Sequence, residues 1–246
     1  MTDIHEIGSI FRLALIEERF QASKDVVFGS LQSLKDYLDL FQLSIDKEIE
    51  RENEELAQLF AKMTQPQREA YMAYHYDGTW HHILTSQFYY SFMIWAFAVF
   101  EQLLGQVCQD LETAAQTPIR WDELRGQNKL DQAQKYLQKF LGFVEPGDDL
   151  WKQLNDSYTI RNVIVHNGGW ISNTSRETHI RDHILKTAHG ISLEYDRLKI
   201  TSDYCREIIQ LFHRFIDEVF SSLDEVCDNI MSSLDKTLHP TAAISM

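Results

Sequence analysis

Only four prolines, Pro66, Pro118, Pro146 and Pro240, interrupt the 246 residues of this chain. Proline removes a backbone donor and clashes with the preceding turn, so a chain this poor in it is free to run in long helices. The alternation of apolar and polar residues that marks a half-buried strand is scarce, whereas apolar residues recur at the three- and four-residue steps of a helix face. Residues 7–28 carry Ile10, Leu13, Leu15 and Phe20, and residues 31–63 carry Leu34, Leu38, Phe41, Ile45, Ile49, Leu56 and Phe60. The expected fold class is all-α.

The spacing predicts further helices over 86–115, 130–141, 148–166 and 202–234, the last opened by Ser202 or Asp203 as a capping residue. A turn is expected at 64–67, around Pro66, and another at Asp77-Gly78. Gly168-Gly169 is expected to end the helix before it, because glycine adopts the left-handed conformation that closes a last turn. Residues 171–199 read as polar and irregular. The expected organisation is an acidic helical region over 1–80, a helical bundle over 81–235 and a flexible tail over 236–246.

Charge narrows the partners. The formal net charge of −14 argues against a general nucleic-acid coat protein, because non-specific affinity for a polyanion comes from Lys and Arg neutralising phosphates. The acid is uneven, however. Residues 1–60 hold 13 Asp and Glu against 6 Lys and Arg, and residues 200–246 hold 8 against 3. Residues 150–199 reverse the balance, with 5 acids against 7 bases and four of the ten histidines. That stretch repels an anion least.

Cys108, Cys205 and Cys227 have no CxxC spacing and imply neither a disulfide framework nor a zinc site, so a reducing cytoplasm is expected. The first residues lack the basic flank and cleavage site of a signal peptide. The longest charge-free apolar block, residues 88–100 (FYYSFMIWAFAVF), has 13 residues, too few for a bilayer span, and is expected to be a buried helix.

Residues 158–170 (YTIRNVIVHNGGW) set Arg161, Asn162 and His166 among Ile160, Val163, Ile164 and Val165. Buried polar and cationic groups are destabilising unless partnered, so these three need a reason beyond packing. On a helix Asn162 and His166, four apart, share a face with Asn155, and Arg161 lies on the neighbouring stripe with Leu150, Leu154, Tyr158 and Val165. A helix end apolar on nearly all sides is expected to be covered on nearly all sides, one stripe by the bundle and another by a second copy of the chain. Imidazole moves a proton near neutral pH, guanidinium grips phosphate oxygens bidentately, and an amide orients either. Together they suit RNA cleavage, in which a base activates the ribose 2′-OH and a cation stabilises the phosphorane. One histidine per chain is short of a base plus an acid; a two-fold dimer supplies the second.

Arg161-Asn162, three apolar residues, His166 and Asn167 resemble the R-x4-6-H signature of the HEPN family, helical-bundle proteins that include many metal-independent RNases of prokaryotic toxin and antiviral systems. The bare spacing of Arg and His says little. Asn directly after Arg, the apolar helix and the Asn-Gly-Gly stop carry the resemblance, which covers residues 85–234 and leaves 1–80 without a counterpart. It implies an up-and-down helical bundle that dimerises with the two motifs facing one another, needing no metal or other cofactor. Arg161 and His166 would then be catalytic and Asn162 would position them, with Glu101, Asn167 and Tyr158 in support; pairing of Glu101 with Arg161 would orient or merely neutralise it.

Other histidines have plainer readings. His75, His81 and His82 with Asp77 resemble a metal set only loosely, since adjacent His81 and His82 do not share a helical face. His179 and His183, four apart, would face one way if helical and line an RNA cleft, a solvated loop being the simpler account. The expected function is a metal-independent endoribonuclease of a toxin or defence system, with RNA as substrate, an antitoxin or defence protein as a further partner, and no membrane. The alternatives are a non-catalytic HEPN-like module that dimerises and binds a partner through its acidic N-terminal helices, and a plain helical scaffold.

Overall fold

The computed structural model describes residues 4–74, 79–115, 119–141, 148–172 and 174–238. It is mostly helical. In chain order stand α1 (Ile4–Ala61), α2 (Gln65–Tyr74), α3 (Thr79–Ala115), a 3-10 turn (Trp121–Glu123), α4 (Lys129–Leu141) and α5 (Asp148–Asn167). After these come α6 (Glu177–His179), a π-helical turn (Ile180–Ile184), α7 (Leu185–Thr187), β1 (Ile191–Glu194), β2 (Arg197–Ile200) and α8 (Ser202–Leu238).

Three departures from the sequence expectation have local causes. The two helices expected over 7–28 and 31–63 are one, because buried Val27, Leu31, Leu34 and Leu38 carry a single apolar stripe across Gly29-Ser30. Ser30 also bonds back to the Val26 carbonyl at 2.8 Å within the helix. A lone glycine costs a helix about 1 kcal/mol and does not end it when the stripe continues. Residues 171–199, expected to be irregular, hold α6, the π turn, α7 and an antiparallel hairpin pairing Ile191 with Ile200 and Leu193 with Leu198. The last helix runs on to Leu238, past the 234 expected and into the expected tail, and Ser202 is its first helical residue, its hydroxyl accepting from Arg206 at 3.1 Å.

The turn expected at 64–67 is shorter, since α2 starts at Gln65. Gln67 Oε1 accepts from both the Thr64 amide, at 2.9 Å, and the Thr64 hydroxyl, at 3.0 Å, satisfying a donor that a helix start otherwise leaves open. Helix α4 opens on Asn128, whose Oδ1 accepts from the Asp131 amide at 2.8 Å. His75, Asp77 and the side chains of His81 and His82 lie outside the described residues, as do Gly78 and residues 239–246.

The chain forms two compact units, each assembled from separate stretches. The first takes residues 1–30, 99–152 and 212–246. Its core is aromatic: Phe100 stacks on Phe212 with centroids 4.0 Å apart, and Phe215 meets Trp151 edge-on at 4.7 Å. The second takes residues 31–98 and 153–211. Its core includes Leu34, Leu38, Phe92, Met93, Phe97, Leu154, Ile160 and Ile164, with Ile180, Ile184, Leu198 and Ile200 from the later segments.

The apolar run in α3 extends beyond the 13-residue block read from the sequence. By length and composition alone the stretch Thr85–Thr113 could cross a membrane. Phe92, Met93, Ala96 and Phe97 in the second unit and Phe100, Leu104, Val107 and Cys108 in the first are buried, as a helix that is apolar over most of its surface requires. Burial pushes the thiols of Cys108 and Cys205 well above their usual range, leaving them as small apolar side chains.

Candidate functional site

Helix α5 ends where the glycines require. Gly168 and Gly169 have φ of +59° and +89°, a region that costs an L side chain about 1–2 kcal/mol. The Gly168 amide bonds the Ile164 carbonyl at 3.1 Å and the Gly169 amide reaches back six residues to Val163 at 3.2 Å, so two nested bonds satisfy carbonyls that a helix end otherwise leaves open. Gly169 is doubly constrained, since a Cβ there would overlap the Tyr90 hydroxyl.

The last two turns of α5 carry the motif. Ile160, Val163 and Ile164 are buried, Tyr158, Arg161 and Asn162 are half-buried, and Val165, His166 and Asn167 are exposed. The helix end is therefore covered on one stripe and open on another, and the expectation of three polar groups in apolar surroundings applies to Arg161 and Asn162 alone. His166 stands in solvent one turn beyond Asn162.

Arg161 Nη1 donates to Asn162 Oδ1 at 3.0 Å, and the guanidinium sits 5.6 Å from the Tyr158 ring centroid, a geometry in which the ring face attracts the cation. Arg161 Nε is buried without a hydrogen-bond partner among the described residues. A buried donor left unmade costs about 1–3 kcal/mol. Glu101, in the first unit, is half-buried on α3 and its Oε1 is likewise unpartnered among the described residues.

Beside the motif the second unit holds groups that the sequence reading missed or left as loop. His179 Nε2 lies 2.7 Å from Asp156 Oδ1, and the His183 ring lies 5.3 Å from that of His179. The π turn follows directly, and Arg181 on it pairs with both Glu177 and Asp196. The hairpin is sewn to the helix stop: Arg197 Nε donates to the Gly168 carbonyl at 3.1 Å, the Leu198 amide to Gly169 at 2.9 Å, and the Ile171 amide to Asp196 at 3.0 Å. Tyr90 closes the other side by donating its hydroxyl to the Leu198 carbonyl, and burial raises its pKa. Among the described residues, no group of three or more His, Cys, Asp or Glu is placed to share a cation.

No protein-family model, curated protein or solved structure matches this chain.

Proposed function

We propose that the chain is a metal-independent endoribonuclease of a toxin or antiviral defence system, cutting RNA at a site composed by two copies. The observation that carries this reading is the pairing of half-buried Arg161 with Asn162, one helical turn before a solvent-exposed His166 at a glycine-stopped helix end. A fixed cation and a free imidazole on one helix end are what phosphate chemistry of this type uses.

In the proposed reaction one His166 takes the proton of a ribose 2′-OH. The 2′-oxygen attacks the adjacent phosphorus, and the bond from phosphorus to the 5′-oxygen of the next nucleotide breaks. A second His166, protonated and from the other copy, gives its proton to that leaving oxygen. Arg161 stabilises the charge that gathers on the phosphorane oxygens, and the products are a 2′,3′-cyclic phosphate and a 5′-hydroxyl. Asn162 holds Arg161 in register, Tyr158 supports it from the side, and Asn167 completes the set that the HEPN resemblance suggests on this helix.

RNA incubated with the purified chain in EDTA tests the proposal. Cleavage that disappears in His166→Ala and Arg161→Ala supports it; intact RNA at high protein concentration counts against it. One observation favours the alternative of a non-catalytic, partner-binding module. Tyr37, Leu40 and Leu43 on α1 and Trp95 on α3 are 44%, 65%, 51% and 44% exposed, an apolar presence beside the acidic helix surface that a protein partner would cover. In the alternative reading the acidic helices within residues 1–80 are the docking surface; both readings keep residues 81–235 as the HEPN-like bundle of a cytoplasmic protein.

A further inference from the structure

The hairpin that docks on the α5 stop is built with the wrong residue at its tip. Tyr195 and Asp196 are the two residues between β1 and β2, with φ of +48° and +63°. A two-residue turn with both φ positive is the type I′ geometry, which selects Asn and Gly. Asp tolerates this region through its short polar side chain, and Asp196 is further held by Arg181 and by the Ser172 hydroxyl at 3.1 Å. Tyrosine has no such compensation; a bulky side chain there is strained. Nor does packing repay it, because Tyr195 is 89% exposed. Strain without a packing return directs attention to what the side chain could contact outside the fold.

What surrounds it indicates the contact. A cavity of about 240 Å³ opens between the hairpin and the segment after the helix stop, lined by Tyr90, Trp170, Glu194, Tyr195, Arg197 and Lys199 among others. It is smaller than the ~300–1,000 Å³ pockets that hold drug-sized ligands, which suits a single planar group rather than a peptide segment. Two of its aromatics are unburied, Trp170 at 48% and Tyr195 at 89%. Trp170 follows His166 by four residues in the chain and pairs with Arg197 through an isolated β-bridge. Arg197 commits Nε to Gly168 and lies 5.5 Å from the Tyr90 ring centroid. Lys199 and Glu194 pair at 3.7 Å with both side chains substantially exposed, so two cations and one carboxylate line the mouth.

We infer that this cavity is a nucleobase subsite, in which a base of single-stranded RNA stacks on Tyr195 and Trp170 while Arg197 and Lys199 meet the flanking phosphate. Exposed aromatics interleaved with cations are the arrangement that binds single strands, each base offering a π-face whatever its sequence. Glu194 adds a carboxylate able to accept a hydrogen bond from a base amino or imino N–H, giving the subsite a means of preferring one base. The inference deepens the nuclease reading by naming a substrate contact beyond Arg161 and His166, and it rests on that reading for the choice of RNA.

The test uses the full chain carrying His166→Ala, so that RNA stays intact, and measures its affinity for a short fluorescent single-stranded RNA by anisotropy. Tyr195→Asn is the decisive added change, because Asn suits the left-handed turn and cannot stack. The expected result is equal or higher thermal stability together with roughly tenfold weaker RNA binding, while Tyr195→Phe keeps the affinity. Unchanged affinity in Tyr195→Asn overturns the subsite, as does absence of any RNA binding. Tyr195-dependent binding by a chain that never cleaves RNA upholds the subsite and removes the nuclease. Cleavage that proceeds with unaltered KM in Tyr195→Asn does the reverse.

Discussion

Arg161 donates through Nη1 to the side-chain oxygen of its chain neighbour Asn162 at 3.0 Å, while its own Nε is buried without a partner among the described residues. Consecutive residues on a helix point about 100° apart, so a bond between them draws the guanidinium around the helix rather than straight outward. The arrangement turns the cation toward Asn162 at the cost of one unmade hydrogen bond at Nε.

Arg161→Lys separates charge from geometry. Lysine keeps the cation but loses the planar fork and the bond to Asn162. Cleavage should fall by about 10²-fold or more, the scale of losing one transition-state donor, with helical content by circular dichroism unchanged. Asn162→Ala should reduce the rate less, acting through Arg161. Full activity in Arg161→Lys would show that only charge is used.

The two glycines after α5 should respond differently. Gly168→Ala meets only the cost of its positive φ, since no atom lies within 4 Å of a Cβ there, and should lower stability by about 1–2 kcal/mol in urea. Gly169→Ala adds an overlap with Tyr90, which must move and release its bond to Leu198. It should destabilise the chain by more than Gly168→Ala. Equal effects would mean that Tyr90 yields without resistance.

Tyr90→Phe removes the hydroxyl that serves the Leu198 carbonyl. Leu198 is buried, and leaving such an acceptor unmade costs about 1–3 kcal/mol. Hydrogen exchange should quicken at the Leu198 and Ile171 amides, which hold the hairpin to the helix stop, before it changes in the α8 core.

Acid should loosen the same hairpin. Hydrogen bonds from Arg181 and Ser172 lower the Asp196 pKa below the ordinary carboxylate value. A depressed folded-state pKa contributes stability that is present above the unfolded value, about 3.9, and is lost as pH falls through the folded one. Exchange protection of the hairpin should therefore drop below about pH 4, and Asp196→Asn should remove that dependence. Persistence of the step in Asp196→Asn would assign it to another carboxylate.

The helices were legible because their evidence is local. Apolar spacing, a glycine stop and the scarcity of proline each act within a few residues, so α4, α5 and the glycine closure follow from the sequence nearly residue by residue. The hairpin was hidden by its tip. Ile191, Leu193, Leu198 and Ile200 alternate with Ser192, Glu194, Arg197 and Lys199, the strand period, but Tyr195-Asp196 carries no Gly or Asn to announce a tight turn. The exposure of His166 was also beyond reach, since whether a mostly apolar helix end is covered depends on elements distant in the chain. Among the site residues, the neighbourhood of Arg161 and Asn162 was readable from their adjacency. The Asp156 contact with His179 spans 23 residues and is set by packing that no spacing encodes.

The most direct test of the central claim is the end chemistry of cleaved RNA, read by mass spectrometry on two oligonucleotides that differ in one 2′-hydroxyl at the main cut position, with EDTA present. Attack by the 2′-oxygen yields 2′,3′-cyclic phosphate and 5′-hydroxyl ends on the all-ribose strand and no cut beside the 2′-deoxy residue. Cleavage at the deoxy position, or 5′-phosphate ends on either strand, would contradict it.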